Sequence, residues 1–227
     1  MRTDLDRFPR IEMKRTTPRR SLDAVAPREH CLIAVIDVQN DFCAPGGAFD
    51  RRGRNLEPIR SMLPRLARFL GRARDLGVAV LFTLHSYDVH RMPGDLVERD
   101  RRLFGAEGFP APGSWGEGFS ELVHPAPGEG VLVKTRYSAF TNPRFRRLLD
   151  SNSTQTLILT GLLTNVCVES TARDVDKTAY NLVVVEDCVA SDELALHRAS
   201  LTNLEQYFGW VVSSSELLVA WESCPEY

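Results

Sequence analysis

From Cys31 to Ile36 the chain reads Cys-Leu-Ile-Ala-Val-Ile, six apolar residues without a polar break. A strand with one face in water alternates polar and apolar side chains. An unbroken run this short predicts a strand buried on both faces, the habit of a parallel sheet. Similar runs recur at Val78–Leu84, Val131–Val133, Leu157–Leu159, Leu182–Val185 and Trp210–Val212. Helical patterns fill the intervals. Leu56–Leu76 places Ile59, Leu63, Leu66, Leu70 and Ala73 on one face, with Pro64 expected to kink or separate its first turns. A short helix is predicted over Asn142–Leu149. Another follows Cys167, with Val168, Ala172, Val175 and Ala179 at helical spacing. Asp192–Tyr207 is predicted to turn Leu194, Ala195, Ala199 and Leu204 inward, and a last short helix begins at Ser214. Strands alternating with helices predict an α/β domain in three layers, α/β/α. Its sheet is open, six-stranded, mostly parallel and Rossmann-like.

At 227 residues the chain suits one such domain, assigned to 30–227, after an N-terminal arm over 1–29. The arm is rich in Arg, Pro and Thr. Its run Lys14-Arg15-Thr16-Thr17-Pro18-Arg19-Arg20 reads as a mobile arm or a strap across a neighbouring subunit, or as an anion contact. Lys and Arg total 28 against 30 Asp and Glu, a net charge of −2, which gives no footprint for nucleic acid or an anionic membrane. No apolar run approaches the roughly 20 residues of a membrane span, and the first 30 residues show no signal-peptide core. Five cysteines in no framework spacing predict free thiols and a reducing, cytoplasmic setting. There is no GxGxxG, no GxxxxGK[ST] and no zinc-type Cys/His cluster, so the dinucleotide, P-loop and zinc versions of the architecture are unsupported.

In a parallel sheet the carboxyl ends of the strands share one rim, where such folds place their sites. Asp37 follows the first strand, His85 the second, Lys134 the third, and Cys167 lies just beyond the fourth. Each has an ordinary reading as well: a loop cap for Asp37, a loop hydrogen bond for His85, a solvated strand end for Lys134, a structural thiol for Cys167. Cys167 sits where a strand hands over to a helix, with Thr164 or Asn165 available as the cap. Helix N–H groups there favour an anion and would lower the thiol pKa. Together the groups suit nucleophilic attack on an amide-type carbonyl. Asp37 would take the thiol proton, Lys134 would hold the carboxylate ionised, and backbone N–H groups would hold the oxyanion. The stretch from Val89 to Pro127 is long, charged and broken by Gly and Pro, and is expected to be a lid loop pinned by Trp115 and Phe119.

Three segments carry a resemblance. Val35-Ile36-Asp37-Val38-Gln39-Asn40-Asp41-Phe42, Val133 to Phe140 (VKTRYSAF) and Thr160 to Thr171 (TGLLTNVCVEST) are similar to the signature segments of the isochorismatase-like cysteine hydrolases. The likeness runs from about Cys31 to Leu217. It implies an Asp–Lys–Cys triad, which falls on Asp37, Lys134 and Cys167. It also implies a non-proline cis peptide at Leu162–Leu163, with the backbone N–H groups of Leu163 and Cys167 as oxyanion hole. Phe42 and Tyr137 match substrate-contacting positions of the family, and His85 stands where an Asn makes that contact. Leu163 departs from the Ala or Thr common at its place.

Gly113-Ser114-Trp115, Arg136-Tyr137-Ser138 and Phe208-Gly209-Trp210-Val211 resemble the branch acting on ureidoacrylate and N-carbamoyl compounds. Isochorismatases proper lack the cysteine. Nicotinamidases carry an Asp-x-His metal site after the first strand, whereas this chain has Phe49-Asp50-Arg51-Arg52 there. The resemblance therefore implies hydrolysis of a C–N bond in a small ureido, carbamoyl or carboxamide substrate. It implies no metal or organic cofactor, and a homodimer or homotetramer. The alternatives are biuret, nicotinamide-like or simple amides as substrate, or a non-catalytic binding protein on the same scaffold.

Overall fold

The structure is a computed structural model that describes residues 21–88, 92–104 and 111–223. Six strands form its sheet: β1 (Cys31–Ile36), β2 (Ala79–His85), β3 (Gly130–Lys134), β4 (Thr156–Leu162), β5 (Asn181–Ala190) and β6 (Trp210–Val212). Their order is β3-β2-β1-β4-β5-β6, and every pairing is parallel. The sheet is thus wholly rather than mostly parallel. The strand order reverses between β1 and β4, which opens a crevice outside their carboxyl ends.

The unbroken apolar runs are explained by the layers. Along β1, Ile33 and Val35 face one core with Phe82, Ile158 and Val183, while Leu32, Ala34 and Ile36 face the other with Leu157, Leu159 and Val184. Helix α4 (Glu57–Asp75) covers the first face through Ile59, Leu63, Leu66 and Leu70, with Trp221 of α9 (Ser214–Glu222) stacked on Phe69. Helices α6 (Pro143–Ser151), α7 (Glu169–Val175) and α8 (Leu194–Tyr207) cover the second through Phe145, Ala172 and Leu204. Ahead of β1, the short helix α1 (Leu22–Val25) leads into a buried Ala26 whose carbonyl accepts from the Trp221 indole. The basic run Lys14–Arg20 lies outside the described residues. No helix among the described residues is long and apolar enough to cross a membrane.

Several expectations are corrected. Helix α4 runs unbroken through Pro64, because Ile59, Met62, Leu63 and Leu66 are buried on both sides of it and packing outweighs one lost backbone bond. Leu194, Ala195 and Ala199 face outward on α8, and of the four residues expected inward only Leu204 is buried. That helix has apolar residues around much of its circumference, so spacing alone selects no face. The stretch after β2 is not simply a loop, since Gly94–Phe104 forms helix α5, with Met92 and Leu96 buried.

Trp115 is 59% exposed and does not anchor the following segment. Phe119 does pack, edge-on against Phe82 at 5.4 Å. The main attachment is backbone: Asn40 N–H donates to Gly118, Asp41 N–H to Gly116, and Ser120 N–H to Val38. Gly116 permits this approach, as a Cβ there would lie 2.3 Å from the Asp41 carboxylate.

Candidate active site

The end of β1 is built tightly. Gly161 on β4 has φ +97°, and a Cβ there would stand 2.2 Å from the Ile36 carbonyl, so glycine lets the two central strands close up beside the crevice. Gln39, fully buried, clamps β1 to β2: its amide donates to the His85 carbonyl at 3.1 Å and accepts the His85 N–H at 2.8 Å. Between them Asp37 takes a left-handed φ of 49°, a strained conformation for a non-glycine residue. Thr83 holds it there. The Thr83 hydroxyl donates to Asp37 Oδ1 at 2.6 Å and accepts the Asp37 N–H at 3.2 Å.

Register then decides who meets Asp37. His85 pairs with Lys134 across β2 and β3, so both side chains reach the same rim. Lys134 Nζ lies 2.6 Å from Asp37 Oδ2, an ion pair with both side chains essentially out of solvent. The ammonium also donates to the Arg136 carbonyl at 3.1 Å and approaches His85 Nδ1 at 3.3 Å. An ammonium has no lone pair, so Nδ1 must accept and the His85 proton resides on Nε2. Burial and the Lys134 and Arg99 charges hold the His85 pKa well below the ordinary value, in keeping with a neutral ring. That ring stacks on Tyr87 at 4.3 Å.

Cys167 closes the group. Its Sγ is 3.9 Å from His85 Nδ1, and the donor atoms of Asp37, His85 and Cys167 all lie within 4.8 Å of one another. The thiol is not in the environment expected from sequence. It sits in a π-helical turn, Thr164–Val168, ahead of α7, with no side-chain cap. Thr164 Oγ1 instead pairs with His197 Nδ1 at 2.8 Å, and Asn165 accepts from Ser191 at 2.7 Å, so the two residues tie the turn to the start of α8. Burial pushes the Cys167 thiol pKa up, Lys134 pulls it down, and Asp37 pushes it up again, with a net rise. The expected lowering by helix N–H groups is outweighed by desolvation. Burial alone would lower the Lys134 pKa, but the facing Asp37 and Cys167 raise it above its ordinary value. Asp37, His85 and Cys167 offer three donors of metal-binding type, yet the Lys134 ammonium occupies the space among them, and a cation would have to displace it.

These groups open onto a cavity of about 340 Å³. Asp37, Phe42, His85, Tyr137, Leu163 and Cys167 all line it, so the structure brings together every sequence-selected residue except Lys134, which lies behind them. The Leu162–Leu163 peptide is cis. Sequence reasoning missed the rest of the wall: Phe49, which packs edge-on against Phe42 at 5.2 Å, then Tyr87, and the Arg54–Asp192 ion pair at 2.8 Å. Arg54 and Asp192 are 138 positions apart on irregular connections, and no periodicity marks either. Tyr87 was within reach, since it lies two residues beyond His85 on the same strand end.

The strand order, the crevice between β1 and β4 and the Asp–Lys–Cys cluster define a class of α/β hydrolase. The isochorismatase domain model matches residues 30–216, and the chain belongs to the isochorismatase family of hydrolases. The ureidoacrylate amidohydrolase RutB of Methylobacterium radiotolerans is 36% identical over 194 residues, 79% of this chain and 75% of that protein. An isochorismatase family protein from Desulfovibrio vulgaris superposes with TM-score 0.71 at 28% identity, over 83% of this chain and 96% of that one. The nicotinamidase PncA of Bacillus subtilis superposes with TM-score 0.66 at 27% identity, over 81% and 99%.

Proposed function

We propose that the protein is a cysteine-dependent amidohydrolase that cleaves a C–N bond of a small ureido or carbamoyl compound. The observation that carries this reading is the Cys167 thiol beside a buried Asp37–Lys134 ion pair at the cavity floor. With its pKa raised, the thiol is protonated at rest and needs a base at the moment of attack. Asp37 accepts that proton as Sγ bonds to the carbonyl carbon. Lys134, held by three acceptors, pairs with that carboxylate beforehand and orients it. The N–H groups of Leu163 and Cys167 receive the oxyanion. As the tetrahedral species collapses, the C–N bond breaks and Asp37 returns the proton to the departing ammonia or amine. Water, deprotonated by Asp37, then adds to the thioester-type carbon and releases the acid with the free thiol.

The RutB relative favours ureidoacrylate or a similar ureido acid as substrate. A carboxamide such as nicotinamide is the second reading, favoured by the aromatic wall of Phe42, Phe49, Tyr87 and Tyr137 and by the Bacillus nicotinamidase. The reading carries with it a cytoplasmic homo-oligomer; the end of the 1–29 segment, at Val25 and Ala26, is packed into the domain and is not a free arm. The test is ammonia release from ureidoacrylate, N-carbamoyl amino acids, biuret, nicotinamide and aliphatic amides, with Cys167→Ala as control. Turnover confined to ureido compounds, with Cys167→Ala folded and at least about 10⁴-fold slower, is expected. Turnover by Cys167→Ala would refute the mechanism, and turnover of nicotinamide alone would replace the substrate class.

A further inference from the structure

Beyond the catalytic cluster, the cavity walls are mostly apolar or aromatic, with Asn165 and Ser170 as neutral polar residues and the remaining charges gathered in one group. There Arg54, Asp192 and Glu193 meet. Arg54 is the one cation among the described residues that line the cavity. Lys134 offers nothing to a ligand, because it is buried and its donors go to Asp37, the Arg136 carbonyl and His85. Arg54 is differently placed. Its Nη1 donates to Asp192 Oδ2 at 2.8 Å, and its guanidinium stands 5.6 Å from the Phe49 ring centroid. The Arg54 side chain is 37% exposed, while Asp192 beneath it is 6% exposed. A guanidinium has five N–H donors in a fixed plane. Asp192 and Phe49 orient that plane and take one donor between them, which leaves most of the fork at the cavity wall. Asp192 and Glu193 would repel an anion anywhere else on this side.

We infer that Arg54 anchors the carboxylate of the substrate, so that the pocket takes a ureido or carbamoyl acid with its reactive carbonyl at Cys167 and its anionic end at Arg54. The inference rests on the amidohydrolase reading and deepens it. The cavity lies near the small end of the roughly 300–1,000 Å³ range of ligand pockets. A small molecule attacked at Cys167 therefore fills much of it and lies within the same cavity as the Arg54 guanidinium. Asp192 has two consequences for the anchor. It holds the guanidinium in register, and it offsets part of its charge, so the acid is preferred without being trapped.

The test compares ureidoacrylate with its methyl ester, which keeps the ureido group and removes the charge. The quantity read is the ratio of kcat/KM for acid over ester. Arg54→Gln is expected to lower that ratio by about 10- to 100-fold, mainly through KM of the acid, as for loss of a charge-assisted hydrogen-bond pair. Asp192→Asn, which frees the guanidinium from its neutralising partner, is expected to move the ratio the other way. A ratio unchanged by Arg54→Gln, or lowered alike by both substitutions, would show a merely structural ion pair and overturn the anchor. If the wild type hydrolyses neither compound, the ureido reading fails, and calorimetry then decides the anchor separately. Ureidoacrylate binding to Cys167→Ala that weakens at least about tenfold on adding Arg54→Gln supports it. Equal binding, or none to either, overturns it.

Discussion

The floor and the rim of the cavity are made in different ways. The floor is strand ends: Asp37, His85 and Lys134 are delivered by β1, β2 and β3, and their spacing follows from sheet register. The rim is loops and helix starts: Arg54 precedes α4, Asp192 precedes α8, and Tyr87 follows β2. On the floor the charges are paired out of solvent at 2.6 Å, whereas at the rim the Arg54–Asp192 pair is partly in water. A change on the floor thus leaves a buried charge without its counterpart, and a change at the rim is softened by solvent. The floor is fixed by sheet register, whereas the rim is set by segments with more conformational freedom.

The largest effect should come from breaking the floor. Lys134→Met strands the buried Asp37 carboxylate, with an expected loss of about 3–5 kcal/mol of stability in urea unfolding and most of the activity. Because the Lys134 pKa is raised, the stability it supplies is complete below its ordinary value of 10.5 and fades as pH climbs through the higher folded value. The melting-temperature gap between wild type and Lys134→Met should accordingly stay constant from neutral pH to about 10 and narrow above it. A gap that stayed unchanged well above pH 10 would contradict this assignment.

Thr83→Val is next. It removes the donor to Asp37 Oδ1 without changing shape, and should cost about 1–3 kcal/mol together with a measurable fall in kcat. Unchanged kcat would mean that the pair with Lys134 alone orients Asp37. The smallest effect should fall outside the floor, at exposed Trp115. Trp115→Ala is expected to stay within about 0.5 kcal/mol, since the Trp115 side chain is largely in water and its carbonyl, which accepts from Asn40, is retained. A loss of several kcal/mol would show that the Trp115 side chain does anchor its segment after all.

The same division explains what the sequence could reveal. Strands β1, β2 and β4 are legible because burial on both faces leaves few polar residues, among them Thr83 and Thr160, whose hydroxyls are hydrogen-bonded, and the ends of a parallel sheet then group Asp37, Lys134 and Cys167 without further information. Helix α8 misleads because its apolar residues surround it, and the inward face is chosen by Ser200 and Leu204. Ser200 is buried and its hydroxyl pairs with Glu169, a polar contact that apolar spacing does not register. Helix α5 escapes notice because charged residues and flanking Gly and Pro mask its pattern. The raised pKa of Cys167 could not be anticipated either, for burial is a property of the assembled cluster and not of the turn that holds the thiol. Arg54 and Asp192 meet only through tertiary structure.

The strap from Gly116 to Ser120 is fastened to the segment after β1 through its main-chain groups, with Gly116, Gly118 and Phe119 positions where side-chain size or shape enters. Interchangeable residues at Ser114, Glu117 and Glu121 would leave those fastenings in place. Such a segment is a natural site for laboratory diversification: libraries there would vary the separate cleft lined by Trp115, Ser120 and Glu121 while the cluster of Asp37, Lys134 and Cys167 keeps its own walls.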